Sequence, residues 1–225
     1  MNLEFIIPIL FVIIVGVLFI KTVVFSSKNV IKNAFKNSRK RSINTIKKNE
    51  YVKIIGHTKP TDAPLTAPLS GKPCVYYNIT IDVKDKKNWR RIINDTKSHG
   101  FYIDDNTETA FIDKNAFNIK TSLKHIINTY KINATPKNNN NLKDYLKQQT
   151  TNKKRLTTNK TLRCRESIIK VDEKIGVKGI ANWITLDQKT KKFSYSKMVT
   201  LTGTAKEKLL ITNDSNLLTR AKRQI

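Results

Sequence analysis

The sequence predicts an α+β chain, mainly β, in which an N-terminal transmembrane helix precedes a small antiparallel barrel with one or two helices. Three observations predict it. Residues from Phe5 to Ile20 carry no charged side chain. Residues Cys74–Lys84 alternate apolar and polar side chains with period two. Further short runs of β-branched and aromatic residues follow, broken by turn residues and by one stretch with helical spacing.

The uncharged run would reach ~24 Å as a helix, short of a hydrocarbon core of about 30 Å. Lys21 can snorkel its ammonium to the interface, and Thr22, Val23, Val24 and Phe25 then extend the run to ~31 Å. The expected transmembrane helix therefore covers residues 4–25. Pro8 falls in its first turn, where a missing N–H costs little. A cleaved signal peptide fits less well, because Glu4 makes the start acidic and no small-residue cleavage pattern follows. No acid occurs between Lys21 and Asn49. The positive-inside rule then puts the N-terminus outside and the domain in the cytoplasm, as a single-pass membrane protein.

Residues 26–49 read as a basic amphipathic juxtamembrane segment. At helical spacing Val30, Ile31, Ala34 and Phe35 share one side. Lys28, Lys32, Lys36, Arg39, Lys40 and Arg41 supply the charge. Such a segment is expected to touch the lipid bilayer and anionic lipid headgroups, although a plain topology-setting flank would carry the same charges. The whole chain has a formal charge of +26, from 43 Lys+Arg against 17 Asp+Glu. That excess points to an anionic partner, unless it is compositional drift in a Lys-, Asn- and Ile-rich sequence. Cys74 and Cys164 are too far apart in sequence for a zinc framework or disulfide scaffold. No cofactor and no metal is expected.

The β-rich domain is expected at 50–212. Tyr51–Gly56 is a short strand. Pro60, Pro64, Pro68 and Pro73 mark a loop. In the strand Cys74–Lys84, Val75, Tyr77, Ile79, Ile81 and Val83 point one way, and Tyr76, Asn78, Thr80 and Asp82 the other. Trp89–Ile93, Phe101–Ile103 and Thr109–Ile112 read as further strands, with Asn94–Gly100 as a connection. Leu123, Ile126, Ile127 and Tyr130 predict a helix over Asn118–Tyr130. Residues 132–161 read as a low-complexity insertion, rich in Asn and Lys, with a short helix around Leu142–Gln148. Strand pattern returns over Ser167–Trp183, Phe193–Leu201 and Leu209–Thr212, and 213–225 form a basic tail. This order fits an OB-like barrel.

The block Pro64-Leu65-Thr66-Ala67-Pro68-Leu69-Ser70-Gly71-Lys72-Pro73-Cys74-Val75-Tyr76-Tyr77 resembles the signature of the GIDE, or "beside a membrane", domain. That family occurs in membrane-bound ubiquitin ligases and in bacterial membrane proteins. Trp89, the Phe101–Asp105 run with Asp104, Arg163-Cys164-Arg165-Glu166 and Gly176–Gly179 stand where the family has its later pieces, in the same order. The resemblance covers roughly Tyr51 to Thr212. It implies a domain beside a membrane, here at a bacterial inner membrane. A RING finger needs about eight Cys/His ligands, whereas this chain has two Cys and three His, so ubiquitin transfer by a RING is not implied.

Candidate chemistry is sparse. Cys74 with His57, or Ser70 with Lys72 or Lys59, would be the pairs for nucleophilic catalysis. Cysteine at the head of an alternating strand is more simply a buried residue, and a Ser-Gly turn explains Ser70. Asp82, Asp104 and Asp105 are carboxylates that could meet a cation or simply face water. The proline-stiffened block Pro64–Tyr77 is either a preformed binding edge or a lock against the domain, with Tyr76 an exposed anchor on the polar side of its strand. The expected function is a membrane-anchored, non-catalytic interaction module that binds another protein. The alternative is a membrane-tethered domain that stacks single-stranded nucleic acid on Tyr76, Tyr102 and Trp89. An enzyme using Cys74 or Ser70 is the remaining possibility.

Overall fold

The computed structural model describes residues 10, 12–16, 26–85, 87–118, 120–149, 160–185 and 197–219. In chain order these contain α1 (Ser27–Lys36), β1 (Tyr51–Pro60), β2 (Leu65–Thr66), β3 (Pro73–Asp85), β4 (Asn88–Ser98), β5 (Phe101–Asp104) and β6 (Thr109–Ile112). Then follow β7 (Ser122–His125), β8 (Thr129–Ala134), α2 (Asn140–Gln149), β9 (Leu162–Lys170), β10 (Lys174–Thr185), β11 (Lys197–Thr202), β12 (Leu209–Thr212) and α3 (Ser215–Leu218).

The transmembrane helix expected at 4–25 is corrected by the structure. Among the described residues no helix is long and apolar enough to cross a membrane. Within that stretch residue 10 and residues 12–16 are helical, and the rest of it lies outside the described residues. The physical weakness is Lys21: the uncharged run before it spans only ~24 Å, and the expectation needed that lysine to be carried through. The single-pass topology and the cytoplasm-facing placement at an inner membrane rested on this helix and fall with it.

The domain is mainly β and holds a closed five-stranded barrel. Around the barrel the order is β1, β5, β6, β11 and β10, and β10 pairs back with β1 from Tyr51↔Ile180 to His57↔Lys174. The expected all-antiparallel barrel is also corrected, because β6 and β11 run parallel (Val199↔Ala110). Val52 and Ile54 on β1 point inward with Phe101, Ile103, Ile112, Ile175, Val177 and Leu201 to form the first core. Gly56 lets β1 pass close to β5, since a Cβ there would lie 2.2 Å from the Asp104 carbonyl oxygen. Beyond the barrel, β12 pairs β10 and β7 pairs β12 in parallel.

The predicted helix over Asn118–Tyr130 is instead a turn followed by β7 and β8. Its apolar spacing also suits two short strands, and their partners, β12 and β9, lie far along the chain. Likewise Asn94–Gly100 is not a connection up to Ser98, because β4 runs that far against β3.

A second sheet is built from β4, β3, β9 and β8, with β2 beside the start of β3. One face is apolar and carries Tyr77, Ile79, Ile81, Leu162, Cys164 and Ile168. It is covered by Leu142, Tyr145 and Leu146 of α2 and by Leu65, Ala67 and Leu69 of the proline-rich loop. Residues 132–149, expected within a low-complexity insertion, thus supply the end of β8 and a packed helix; residues 150–159 lie outside the described residues. The two cores are joined along β3. Its register against β9 shifts between Cys74 and Tyr76, a bulge that turns Val75 and Tyr76 into the barrel core while Cys74 and Tyr77 enter the second core.

Residues 26–49 pack into this domain. Ser26 caps α1 by accepting from the Asn29 amide. Ile31 and Phe35 are buried against Leu210 and Leu217. Lys53, 2% exposed, sends its ammonium from β1 to the carbonyls of Phe35 (2.8 Å) and Ser38 (3.1 Å). Lys178 donates to the Ser38 hydroxyl at 2.7 Å. Lys53 therefore caps the C-terminal end of α1, where a cation is favoured, and Lys178 holds the residue just beyond it. Ile43 and Ile46 complete the barrel core.

Candidate functional site

The outer face of the second sheet is polar. Alternation along β3 and β9 places Asn78, Thr80, Asp82, Arg163, Arg165 and Ser167 on the side away from α2. Asp82 lies at its centre with a side chain only 4% exposed. Arg91 donates Nε to one carboxylate oxygen at 3.1 Å. Arg163 donates Nε (3.2 Å) and Nη2 (3.0 Å), and Arg165 donates Nη2 (2.8 Å), to the other. A second bulge makes this possible. The β3–β4 register shifts between Ile81 and Asp82, so that Asp82 faces Arg91 rather than Ile92.

Burial by itself would raise the pKa of Asp82. Hydrogen bonds from Arg163 and Arg91, and the charges of Arg91 and Arg165, outweigh that and hold the carboxyl below its ordinary value. The three arginine side chains stay 36–53% exposed. Each has five N–H donors, of which Asp82 takes one or two. Trp89, 36% exposed, sits on the same face with the Arg163 guanidinium 4.6 Å from its ring centroid. Lys84 pairs Trp89 in register, and Lys131 of β8 pairs Arg165. Three arginines thus converge on one acid, and Lys84 and Lys131 lie farther out on the same open sheet face.

No family model, curated protein or solved structure matches this chain.

The residues singled out from the sequence divide into three places. The first is the proline-rich block. Leu65 is buried, Pro68 half-buried, and Pro64, Gly71 and Pro73 exposed. Glu166, fully buried, accepts the backbone N–H of Leu69 at 2.7 Å and of Ser70 at 3.1 Å. Asn141 of α2 donates to the Leu69 carbonyl at 3.1 Å. The loop then turns at Gly71, whose φ of 66° suits glycine. Leu69, Ser70, Cys74, Tyr77 and Glu166 are brought together here, with Tyr145 donating from α2 to Asp95 at 2.9 Å. The second place is the outer face, which holds Trp89. The third is a barrel corner, where Asp104 pairs with Lys59 and accepts from the Asn106 amide at 2.8 Å. Its neighbour Asp105 accepts from the Ile43 amide at 3.0 Å and from Thr107.

The exposed-anchor reading of Tyr76 is corrected: the side chain is 3% exposed and packs on Phe117 with ring centroids 5.1 Å apart. The bulge at Val75 is the cause. Tyr76, Tyr102 and Trp89 do not share a face, since Tyr102 packs against Phe111 on the barrel. Burial pushes the Cys74 and Cys164 thiols up to about 12, with Glu166 and Asp82 adding to the effect. His57 faces Asp172 at 3.2 Å. Among the described residues, no three His, Cys, Asp or Glu side chains gather as a metal site would need. Of the expected lipid contacts, Lys28, Lys36, Arg39, Lys40 and Arg41 are exposed and Lys32 is half-buried. The apolar side of their helix is docked on the domain.

The convergence on Asp82 was not foreseen. Its signal was an acid at a polar position of one alternating strand, facing two arginines spaced i, i+2 in another. Arg91 gave no such signal, because a bulge sets its place.

Proposed function

We propose that this chain is a non-catalytic interaction module of the GIDE type, and that it receives an anionic partner on the outer face of its second sheet. The observation that carries the reading is the Asp82 cluster. One buried carboxylate fixes three arginines with their outer donors in water, so little side-chain entropy remains to be lost on binding. The GIDE reading is supported by the Glu166 clamp, which links resembling pieces 96 and 97 residues apart. The non-catalytic reading is supported by the thiols. At about 12, neither cysteine supplies a thiolate at neutral pH.

Chromatography on immobilised heparin tests the anionic-partner reading. The variant R91Q/R163Q/R165Q is expected to elute at clearly lower salt than wild type. The variant K114Q/K143Q/K206Q, with the same charge change at exposed sites elsewhere, is expected to elute near wild type. Equal shifts of the two variants would mean that net charge alone drives retention, and would defeat the reading.

A further inference from the structure

Resting on that anionic-face reading, we infer that the partner is single-stranded nucleic acid lying across β4, β3, β9 and β8. Charge, shape and the neutral side chains each bear on the choice. Arg163 and Arg165 share one side of β9, about 7 Å apart, a spacing that an extended sugar–phosphate backbone can match. Lys131 extends the basic row onto the neighbouring strand β8, and Arg91 adds a base from β4, on the far side of β3. The axes of the outer strands lie about 14 Å apart, too wide for a major groove of about 12 Å, so a duplex is disfavoured. An open four-stranded face with an exposed aromatic is a known way of presenting a platform to unstacked bases.

Trp89 supplies that platform, with Arg163 against its ring. Farther along the same face, beyond the arginines, it offers neutral donors and acceptors: Asn78, Thr80, Asn94, Thr96 and Ser167. Asn78 already holds Asn94 and Thr96 in place, at 3.2 and 2.8 Å. An acidic peptide would satisfy the arginines but leave the indole and the amide rows without a role. A nucleic acid strand uses all three.

The test is fluorescence anisotropy with the full chain and labelled oligo-U and oligo-dT of about twelve nucleotides, titrated between about 50 and 200 mM salt. Binding that weakens with salt is expected. R163Q/R165Q should lose at least about tenfold in affinity, and its log–log salt slope should fall by about 1.4. K131Q lies outside the Asp82 cluster and gives a second readout that does not depend on that cluster folding; its slope should fall by about 0.7. W89A should weaken binding at least about fivefold with an unchanged slope, and W89F should recover part of the loss. A duplex that binds as tightly as the single strand, a W89A variant with wild-type affinity, or an equal loss in K114Q/K143Q would overturn the inference. Polyglutamate separates the two levels. If it binds through the same arginines and the oligonucleotides do not, the nucleic-acid assignment falls and the anionic-face reading stands. If neither ligand depends on the arginines, both fall.

Discussion

Glu166 is fully buried, and its carboxylate takes the amide protons of Leu69 and Ser70. Removing it leaves the buried Leu69 donor without a partner, a loss of about 1–3 kcal/mol, and costs less at the half-buried Ser70 donor. E166A is therefore expected to lower the urea midpoint markedly and to open the 64–72 loop to limited proteolysis, while E166Q, which keeps one acceptor oxygen, should lose less. Asp82 works through charge. Its pKa is lower in the folded chain than the unfolded value of about 3.9, so its stabilisation is complete above that value and is lost as pH falls through the folded pKa. D82N should cost about 2 kcal/mol near pH 7, less than a fully buried pair because the guanidiniums keep much of their hydration. Urea titrations of wild type and D82N should converge as pH falls below about 4. Both carboxylates were visible in the sequence, Glu166 within a resembling motif and Asp82 as a polar position in β3. Their partners were not. Backbone amides carry no sequence signature, and arginines 9, 81 and 83 residues away are matched only by register.

The docking of α1 depends on one missing side chain. A Cβ at Gly176 would lie 2.4 Å from the Phe35 ring, so β10 accepts the helix only with glycine there. G176A should displace Phe35, and protection of the α1 amides in hydrogen exchange should fall while the barrel core keeps its own. K53M should act at the other end of the contact, leaving the Phe35 and Ser38 carbonyls without their donor. At this scale the sequence was legible where one face of an element decides its pattern. The alternation of β3 and the amphipathicity of α1 were both evident, yet the occupant of α1's apolar side was misread, because a bilayer and a protein core select the same residues. Over 118–130 the pattern was too short to separate one helix from two strands, and pairing with β12 and β9 decided between them.

The two cores share β3 and β9: Val75, Tyr76 and Ile169 belong to the barrel, Cys74, Tyr77 and Ile168 to the second sheet. Loss of either core exposes the other, so the chain should unfold as one unit. Its two tryptophans report on the two parts, Trp89 on the outer sheet and Trp183 on β10. W89F and W183F variants should give coincident urea transitions by fluorescence, and separated midpoints would show two units. A mainly β chain with a small barrel could be read from the sequence because turns and alternation are local. The parallel closure of β6 on β11 and the split of β3 between two cores could not, since both arise from contacts distant in the chain. That distance also bears on how the protein is made. The first barrel strand, β1, ends at Pro60, and its closing partner, β10, begins at Lys174. At ~5–20 residues per second, β10 follows β1 off the ribosome by roughly 6–23 s. For that interval the nascent chain carries an open barrel whose first strand, with Val52 and Ile54, lacks one neighbour, which makes this stretch the natural target for a chaperone and the first point of misassembly between adjacent nascent chains.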